Sequence, residues 1–180
     1  PTFPCVVGYE VVGKIIAVGN SNDEHLIGKR VIAFCRFGGY ARHTITNNYA
    51  VVEVQNQPAN ELLGLCTQAV TAYYMAEYLT PIHKIDTVLI HAAAGGVGTI
   101  LIQLAKLKGA KVIAKIGSES KRSVVEGLGA DFIVNYNDSD YVHQIEKYLG
   151  NDRLDISFNP VAGSTFKKDM TLLGSGGRII

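Results

Sequence analysis

Residues 87–108 read TVLIHAAAGGVGTILIQLAKLK, and this stretch decides the fold class. It opens with a buried-type strand over residues 87–91. It closes with a helix over residues 97–108, whose apolar residues recur at helical spacing. The connection between them is a short turn of alanine and glycine. Because a strand, a tight turn and a helix in this order begin a β-α-β unit, the stretch predicts an α/β domain.

The alternation of strand and helix continues to the end of the chain. Further strands are expected at residues 111–116, 132–134, 154–158 and in the closing run to Ile180. Further helices are expected at residues 120–128, 141–149 and 166–173. Strands that alternate with helices of about ten residues imply a parallel sheet with right-handed crossovers. We therefore expect a doubly wound α/β domain over residues 66–180, cut before its last strand.

The first third of the chain follows a different pattern, with short strands separated by turns. Strands are expected at residues 10–19, 28–34, 40–45 and 49–54, followed by helices within 61–79. Several short strands at this spacing suggest a barrel or a strongly coiled sheet over residues 1–65. The chain begins without methionine and closes on an apolar run that resembles an unfinished strand. We therefore expect an internal fragment of a longer protein, lacking both termini.

Composition limits the classes to which the chain can belong. Of its 180 residues, 47% are hydrophobic and 18% are charged, with a net charge of +1, as in globular proteins with a substantial core. Nucleic acid as the main partner needs a concentrated basic face, which this balance does not favour. No apolar run approaches the roughly 18 residues of a membrane span. We therefore expect neither nucleic-acid nor membrane partners. The three cysteines are widely spaced, so we expect reduced thiols in a cytoplasmic protein.

The turn after the first strand of the α/β domain has the residues that a bound pyrophosphate requires. Its pattern is A-x-G-x-x-G, with Ala93 at the first position of the dinucleotide fingerprint. Gly95 lets the backbone approach a phosphate, and Gly98 lets the helix pack tightly on the strand. The helix N-terminus then presents its amides and dipole to the phosphates. The expected contacts of a dinucleotide are Ala94, Gly95, Gly96 and Val97. A tight turn without a ligand is the alternative.

The end of the next strand decides which dinucleotide is expected. An NAD site places Asp or Glu there, about 20 residues after the turn, to bind the ribose 2′-hydroxyl. This chain has Gly117 instead, followed by Ser118, Glu119, Lys121 and Arg122. A hydroxyl from Ser118 and the cation of Lys121, with Arg122 beside or instead of it, would favour a 2′-phosphate. We expect NADPH rather than NADH. The carboxylate of Glu119 opposes the NADPH interpretation. Alternatively, Lys121 and Arg122 are ordinary solvated cations.

Seven short motifs occur in one order along the chain. They lie at residues 8–13 (GYEVVG), 28–31 (GKRV), 39–41 (GYA), 71–74 (TAYY), 92–98 (AAAGGVG), 129–131 (GAD) and 135–136 (NY). Together they resemble the medium-chain dehydrogenase/reductase superfamily, specifically its zinc-free NADPH quinone oxidoreductase (zeta-crystallin-like) branch. The resemblance covers essentially the whole chain. It implies a truncated Rossmann doubly wound parallel sheet, preceded by a partial GroES-like β-barrel domain, and a homodimer when the protein is full length.

The same resemblance implies roles for single residues. Lys121 and Tyr136 match positions that contact the 2′-phosphate of NADPH in similar quinone reductases. Gly117 stands at the position where an NAD site has its carboxylate. Thr71 matches a residue near the cofactor in the cleft. The expected cofactor-binding residues are therefore Thr71, Ala94, Gly95, Gly96, Val97, Gly117, Ser118, Lys121 and Tyr136. No catalytic residue is assigned.

Zinc is the rival assignment, because many members of the superfamily are zinc alcohol dehydrogenases. In those enzymes a G-H-E motif supplies a histidine ligand, whereas this chain has Tyr9 before Glu10. Their later cysteine ligand would fall on Thr67. The neighbouring Cys66 would point about 100° elsewhere on a helix. The cysteine-rich lobe that holds a structural zinc has no counterpart either, so we expect no metal.

Without zinc, the resemblance implies direct hydride transfer from nicotinamide C4 to a quinone or an α,β-unsaturated carbonyl compound. A proton must follow the hydride. Tyr9 is a candidate donor only through its place in the motif, and a packed aromatic side chain is the alternative. Two other functions stay open. One is an enoyl or alkenal reductase of the same superfamily, and the other is a non-catalytic NADPH-binding protein.

Overall fold

The computed structural model describes residues 3–180 of the chain. The chain divides into two compact units, Pro1–Val70 and Thr71–Ile180. The boundary expected at residue 65 lies five residues before this division. Each unit has a hydrophobic core of its own. Within residues 3–180, no helix has the length and apolar character needed to cross a membrane.

The first unit is built on a three-stranded antiparallel sheet with β2 at its centre. Its regular elements are, in chain order, β1 (Glu10–Lys14), β2 (Arg30–Phe34), β3 (Val51–Glu53) and α1 (Ala59–Gly64). Gly28 closes the connection from β1 to β2 with a φ of +82°, a conformation that favours glycine. Ile32 of β2, Leu62 of α1 and Cys66 form the small core of this unit.

Two strands expected in this unit were wrong in extent or in kind. The run 10–19 is a strand only as far as Lys14, because its register with β2 ends there. Residues 40–45, expected as a strand, form bends and irregular backbone instead. Tyr40 is 79% exposed and Ile45 is 95% exposed. Neither packing nor a neighbouring strand therefore stabilises an extended conformation in this segment.

The helical segment that follows is broken into three pieces. After α1, helix α2 (Thr67–Tyr74) continues directly into a π-helical turn, Met75–Leu79. The π-helical geometry is visible in the amide of Thr80, which donates to the carbonyl of Met75 at 3.0 Å. The helices expected within residues 61–79 are confirmed, whereas the change of helical type was not foreseen.

The second unit is a five-stranded parallel sheet with the order β6-β5-β4-β7-β8. Its strands are β4 (Thr87–Ile90), β5 (Lys111–Ile116), β6 (Phe132–Asn135), β7 (Leu154–Phe158) and β8 (Leu173–Ile179). Its helices are α3 (Gly96–Leu107), α4 (Arg122–Gly127), α5 (Tyr141–Leu149) and α6 (Ser164–Leu172). The predicted α/β fold is confirmed.

Helices cover both faces of this sheet, which makes it doubly wound. Ile90 of β4 packs in one core with Leu101 of α3, whereas Leu89 packs in the other with Ile145 of α5 and Leu172 of α6. All four residues of β4 are buried, as expected for the central strand of a parallel sheet. The strand order reverses at β4, which pairs with β5 on one side and with β7 on the other.

Candidate functional site

The point where the strand order reverses locates the candidate site. In open α/β sheets, ligands bind in the crevice outside the carboxyl ends of the strands at such a point. Here the carboxyl ends of β4, β5 and β7 lie side by side. The glycine turn follows β4, and the amide of Ala93 in that turn donates to the carbonyl of Lys115 on β5 at 3.1 Å. The turn is therefore fixed to the neighbouring strand end.

The glycine turn is tight, and Gly95 and Gly98 have different roles in it. The amide of Gly95 donates to the carbonyl of Ala92 at 2.8 Å. A Cβ on Gly98 would lie 2.5 Å from the carbonyl oxygen of Ala92 and 2.7 Å from the Cα of Ala93. Any side chain at Gly98 would therefore push α3 away from the strand, as the sequence predicted. Ala92 itself has a φ of +47°, which is unusual for a residue other than glycine.

Helix α3 begins without a capping side chain. Gly95 occupies its N-cap position, and no side-chain hydrogen bond caps the helix there. Gly95 and Gly96 are exposed, while Ala94 and Val97 are half-buried. The first amides of a helix need an acceptor from outside it, and a phosphate group is well suited to that role. These four residues could therefore hold a pyrophosphate.

Gly117 lies directly against the side chain of Tyr136. A Cβ on Gly117 would lie 2.5 Å from Cε1 and 2.7 Å from the hydroxyl oxygen of Tyr136. The tyrosine ring, which is 55% exposed, thus lies directly against the backbone at the end of β5. The missing side chain of Gly117 removes the carboxylate of an NAD site and also makes room for the ring. Gly117 and Tyr136, nineteen residues apart, are thereby brought together.

The remaining predicted contacts lie in or near the turn after β5, with one exception. Ser118 accepts a hydrogen bond from the amide of Ser120 at 3.3 Å, and their hydroxyl oxygens are 2.7 Å apart. Lys121 ends the short 3₁₀ turn Glu119–Lys121 and is exposed. Thr71 is exposed on α2. The structure therefore groups Ser118 and Lys121 with Gly117 along one turn, while Thr71 belongs to a different element.

Arg122 is paired with Glu119 rather than free, contrary to one option left open by the sequence. Its Nε donates to Oε2 of Glu119 at 2.6 Å, and Asn135 Nδ2 donates to Oε1 at 3.1 Å. Hydrogen bonds from Arg122 and then Asn135 lower the pKa of the Glu119 carboxyl. The hydrogen bond to Glu119 raises the pKa of the Arg122 guanidinium. The acid that opposed the NADPH interpretation is therefore engaged by neighbouring side chains.

A buried polar cluster on the α5–α6 face of the sheet was missed by sequence reasoning. The carboxylate of Asp169, on α6, is fully buried. It accepts hydrogen bonds from Ser157 Oγ and Asn159 Nδ2, both at 2.7 Å, and His91 Nε2 lies 3.1 Å from its Oδ1. Burial raises the pKa of Asp169, but these hydrogen bonds outweigh it and lower the pKa overall. His91, which directly follows β4, is a buried partner of this carboxylate.

The cluster also shapes the loop that follows β7. Oδ1 of Asn159 accepts from the amides of Val161 and Ala162, both at 3.0 Å. Ala162 adopts a φ of +55°, so the loop turns sharply beside the carboxyl end of the sheet. The Asn-Pro dipeptide at residues 159–160 is a turn signal that could have located this loop. Nothing in the local sequence could have predicted Asp169 as the group that holds it.

Lys115, on β5, is a second unforeseen buried group on the same face. It is 2% exposed, and its Nζ has no hydrogen-bond partner among the described residues. Nζ lies 3.9 Å from the centroid of the Tyr141 ring, a cation–π contact. Burial lowers the pKa of Lys115 to about 8, although the nearby Asp169 acts in the opposite direction. A charge inside the otherwise apolar strand KVIAKI was the available sequence signal.

The resemblance places a zinc-ligating cysteine at Thr67, and both Thr67 and its neighbour Cys66 have other partners. The Thr67 hydroxyl and amide both donate to Oε2 of Glu10, the amide at 3.4 Å. Cys66 is fully buried, and its thiol donates to the carbonyl of Leu62 at 3.2 Å. Within residues 3–180, no group of three or more His, Cys, Asp or Glu side chains is arranged to hold a metal ion.

Comparison with protein families gives two matches that together leave out only residues 86–95. A family model described as an alcohol dehydrogenase GroES-like domain matches residues 1–85. A second, described as a zinc-binding dehydrogenase, matches residues 96–180. The chain is 30% identical to the quinone oxidoreductase of Homo sapiens over 182 residues, covering 100% of this chain and 55% of that protein. The chain spans about half the length of the quinone oxidoreductases that it matches.

Solved structures give the same picture of the fold. The Escherichia coli quinone oxidoreductase complexed with NADPH matches with a TM-score of 0.90 and 26% identity, over 99% of this chain and 56% of that one. The CurK enoyl reductase matches with a TM-score of 0.87 and 31% identity, over 97% of this chain and 53% of that one. Both similarities extend across nearly all of the described residues.

Proposed function

Because this chain belongs to the medium-chain dehydrogenase/reductase superfamily, we propose that the protein is an NADPH-dependent oxidoreductase. Its substrate would be a small molecule, a quinone or an α,β-unsaturated carbonyl compound, reduced without zinc. One observation carries this proposal. A glycine turn lies at the reversal of strand order, and the neighbouring strand β5 is followed by Gly117, where Tyr136 lies in place of a carboxylate.

The residues of the second unit fit a dinucleotide with a 2′-phosphate. Ala94, Gly95, Gly96 and Val97 would bind the pyrophosphate through the uncapped start of α3. Gly117, Ser118, Lys121 and Tyr136 would surround the 2′-phosphate, with the ammonium of Lys121 supplying the opposite charge. Thr71 would contact the cofactor from α2. We propose residues 66–180 as the dinucleotide-binding domain and residues 1–65 as part of a GroES-like domain.

When bound, the nicotinamide supplies a hydride, and this chain supplies binding and orientation. The hydrogen bonds of Asn159 to the backbone of residues 161 and 162 hold the loop after β7 at the same edge of the sheet. The Asp169 carboxylate orients Asn159 in turn. Loops that are already ordered lose less entropy when cofactor and substrate are held in the geometry of hydride transfer.

A reaction without zinc is supported by the side chains of the first unit that stand at or near the positions of the zinc ligands. Tyr9 replaces the expected histidine, and the hydroxyl of Thr67 is engaged by Glu10. The buried thiol of Cys66 is directed at a backbone carbonyl, and both burial and Glu10 raise the pKa of this thiol. A raised pKa disfavours the thiolate that zinc requires. The three free cysteines also suit a reducing cytoplasm.

An enoyl reductase of the same superfamily is the second candidate. It is favoured by the similarity to the CurK enoyl reductase. This chain is 31% identical to that enzyme and 26% identical to the quinone oxidoreductase complexed with NADPH. Both candidates need the same cofactor site and differ in the hydride acceptor. We also expect the full-length protein to be a homodimer, which light scattering would test.

The two candidates can be separated by turnover. The full-length protein should oxidise NADPH in the presence of a 1,4-quinone or of an enoyl thioester, and the faster acceptor identifies the reaction. Treatment with a zinc chelator should leave the rate unchanged. If the protein binds NADPH but neither acceptor causes its oxidation, the oxidoreductase assignment fails and a binding protein remains. If NADPH does not bind, the cofactor assignment fails as well.

A further inference from the structure

Glu119 opens the turn that follows β5, two residues after Gly117. Its position places an anion in the same turn as Ser118 and Lys121, where we place the 2′-phosphate. Carboxylates near this strand end bind the ribose 2′-hydroxyl in NAD sites. A free carboxylate here would therefore favour NADH and repel the phosphate of NADPH.

The Glu119 carboxylate is not free, because donors from two elements engage both of its oxygens. Arg122 Nε donates to Oε2 at 2.6 Å, and Arg122 Nη2 reaches Oε1 at 3.3 Å. Asn135 Nδ2 donates to Oε1 at 3.1 Å. The guanidinium fork and the amide together fix the direction of the carboxylate as well as offset its charge.

Asn135 is itself held in place, which makes the arrangement more than a surface ion pair. It lies at the end of β6 and is 8% exposed. Its Oδ1 accepts from the amide of Asn137 at 3.1 Å, so its Nδ2 must face Glu119. The side chain of Asn137 donates to the carbonyl of Gly117 at 2.9 Å. The network thus returns to the strand end where Tyr136 lies.

We infer that Arg122 and Asn135 form a clamp that keeps the Glu119 carboxylate from the ribose 2′ position and so favours NADPH over NADH. This inference rests on the proposed function. Arg122 is then a positioning residue, which acts through Glu119 rather than by touching the phosphate. Glu119 is a latent NADH-selecting acid, and release of the clamp would let it accept a hydrogen bond from the 2′-hydroxyl.

The test measures the dissociation constants of NADPH and NADH for the full-length protein by nucleotide fluorescence titration. Arg122→Ala should tighten NADH binding and weaken NADPH binding, changing the ratio of the two constants by about tenfold or more. Asn135→Ala removes one donor to Glu119, together with the hydrogen bond that Asn135 accepts from the amide of Asn137, and should move the ratio in the same direction by less. Lys108→Ala is the matched control, since Lys108 forms an ion pair with Glu77 beyond the far end of α3. It should leave the ratio unchanged.

A double variant separates the clamp from direct phosphate binding. In the Glu119→Gln background, Arg122→Ala should no longer tighten NADH, because the latent acid is gone. If Arg122→Ala instead weakens NADPH equally in both backgrounds and never improves NADH, Arg122 binds the phosphate and the clamp is refuted. An unchanged ratio in both the Arg122 and Asn135 variants also refutes it. If the parent protein binds neither nucleotide, the proposed function fails first, and the inference fails with it.

Discussion

Two carboxylates at one end of the same parallel sheet each accept hydrogen bonds from more than one side chain, yet they differ in burial. Asp169 has a side chain that is 0% exposed and is surrounded by His91, Ser157 and Asn159. Glu119 has a side chain that is 60% exposed and is held by Arg122 and Asn135. A buried network of this kind cannot exchange its partners for water. The difference suggests that the first network maintains the structure, whereas the second can adjust to a ligand.

The comparison is tested most severely by Asp169→Ala. The variant leaves three buried polar side chains without their shared acceptor, and we expect the free energy of unfolding to fall by about 3–5 kcal/mol. Urea unfolding of the full-length protein, followed by circular dichroism, measures this loss. A loss below about 1 kcal/mol would mean that water or rearranged side chains satisfy the cluster.

Lys115→Met examines a buried charge that has only an aromatic partner. Burial holds the pKa of Lys115 at about 8, below the usual 10.5, so the folded protein binds this proton less tightly than the unfolded chain. Wild-type stability should therefore rise between pH 8 and pH 10.5, while the full penalty is present below pH 8. Lys115→Met should stabilise the protein by roughly 2–3 kcal/mol at pH 7.

The advantage of Lys115→Met should shrink as the pH rises from 8 toward 10. Asp169, Lys168 and Tyr141 face position 115 in both proteins. The difference in free energy of unfolding between variant and wild type therefore reports on Lys115. Lys147→Met is the control, because Lys147 is an exposed lysine on α5. A stability difference that does not vary with pH would contradict a titrating Lys115.

Lys121→Ala is expected to act on ligand binding alone. The side chain is exposed, so its removal should not change the unfolding midpoint measurably. Loss of one charge-assisted contact to a 2′-phosphate should weaken NADPH about tenfold while NADH stays nearly unchanged. Titration with both nucleotides measures this, with Lys108→Ala as the control. Equal losses for the two nucleotides would argue against a 2′-phosphate at Lys121.

The smallest effect on stability is expected for Glu119→Ala. Its exposed carboxylate is screened by water, and exposed ion pairs contribute little to folding. We expect the urea midpoint to stay within experimental error of the parent, in contrast to Asp169→Ala. A loss comparable with that of Asp169→Ala would erase the distinction between the two networks.

The sequence predicted the second unit well because its signals are local. The strand at Thr87–Ile90, the turn with Gly98 and the helix that follows are encoded by consecutive residues, and the periodicity repeats to Leu172. The first unit was harder to predict. Residues 40–45 were expected as a strand, but they are largely exposed and, within residues 3–180, pair with none of the three strands of this unit. A strand depends on its neighbours, which a local pattern does not specify.

The candidate site also has parts that the local sequence predicts and parts that depend on the fold. The glycine turn before α3 follows from a fingerprint, whereas the Asp169 cluster joins His91 to a residue 78 positions away. Only the strand order, with β7 beside β4, brings these two together. The pairing of Arg122 with Glu119 spans three residues, but the sequence alone could not distinguish it from a free cation.

The contact between Gly117 and Tyr136 has a consequence for how cofactor preference could change over evolution. An Asp at position 117, the usual route to NADH, would force the exposed tyrosine ring to move, because the first carbon of the new side chain would lie 2.5 Å from that ring. Removal of the ring alone would leave position 117 without an acid. At these two positions the proposed preference for NADPH is therefore protected by epistasis. The pair of Arg122 and Glu119 offers the shorter evolutionary route, because one substitution there would expose an acid that is already present.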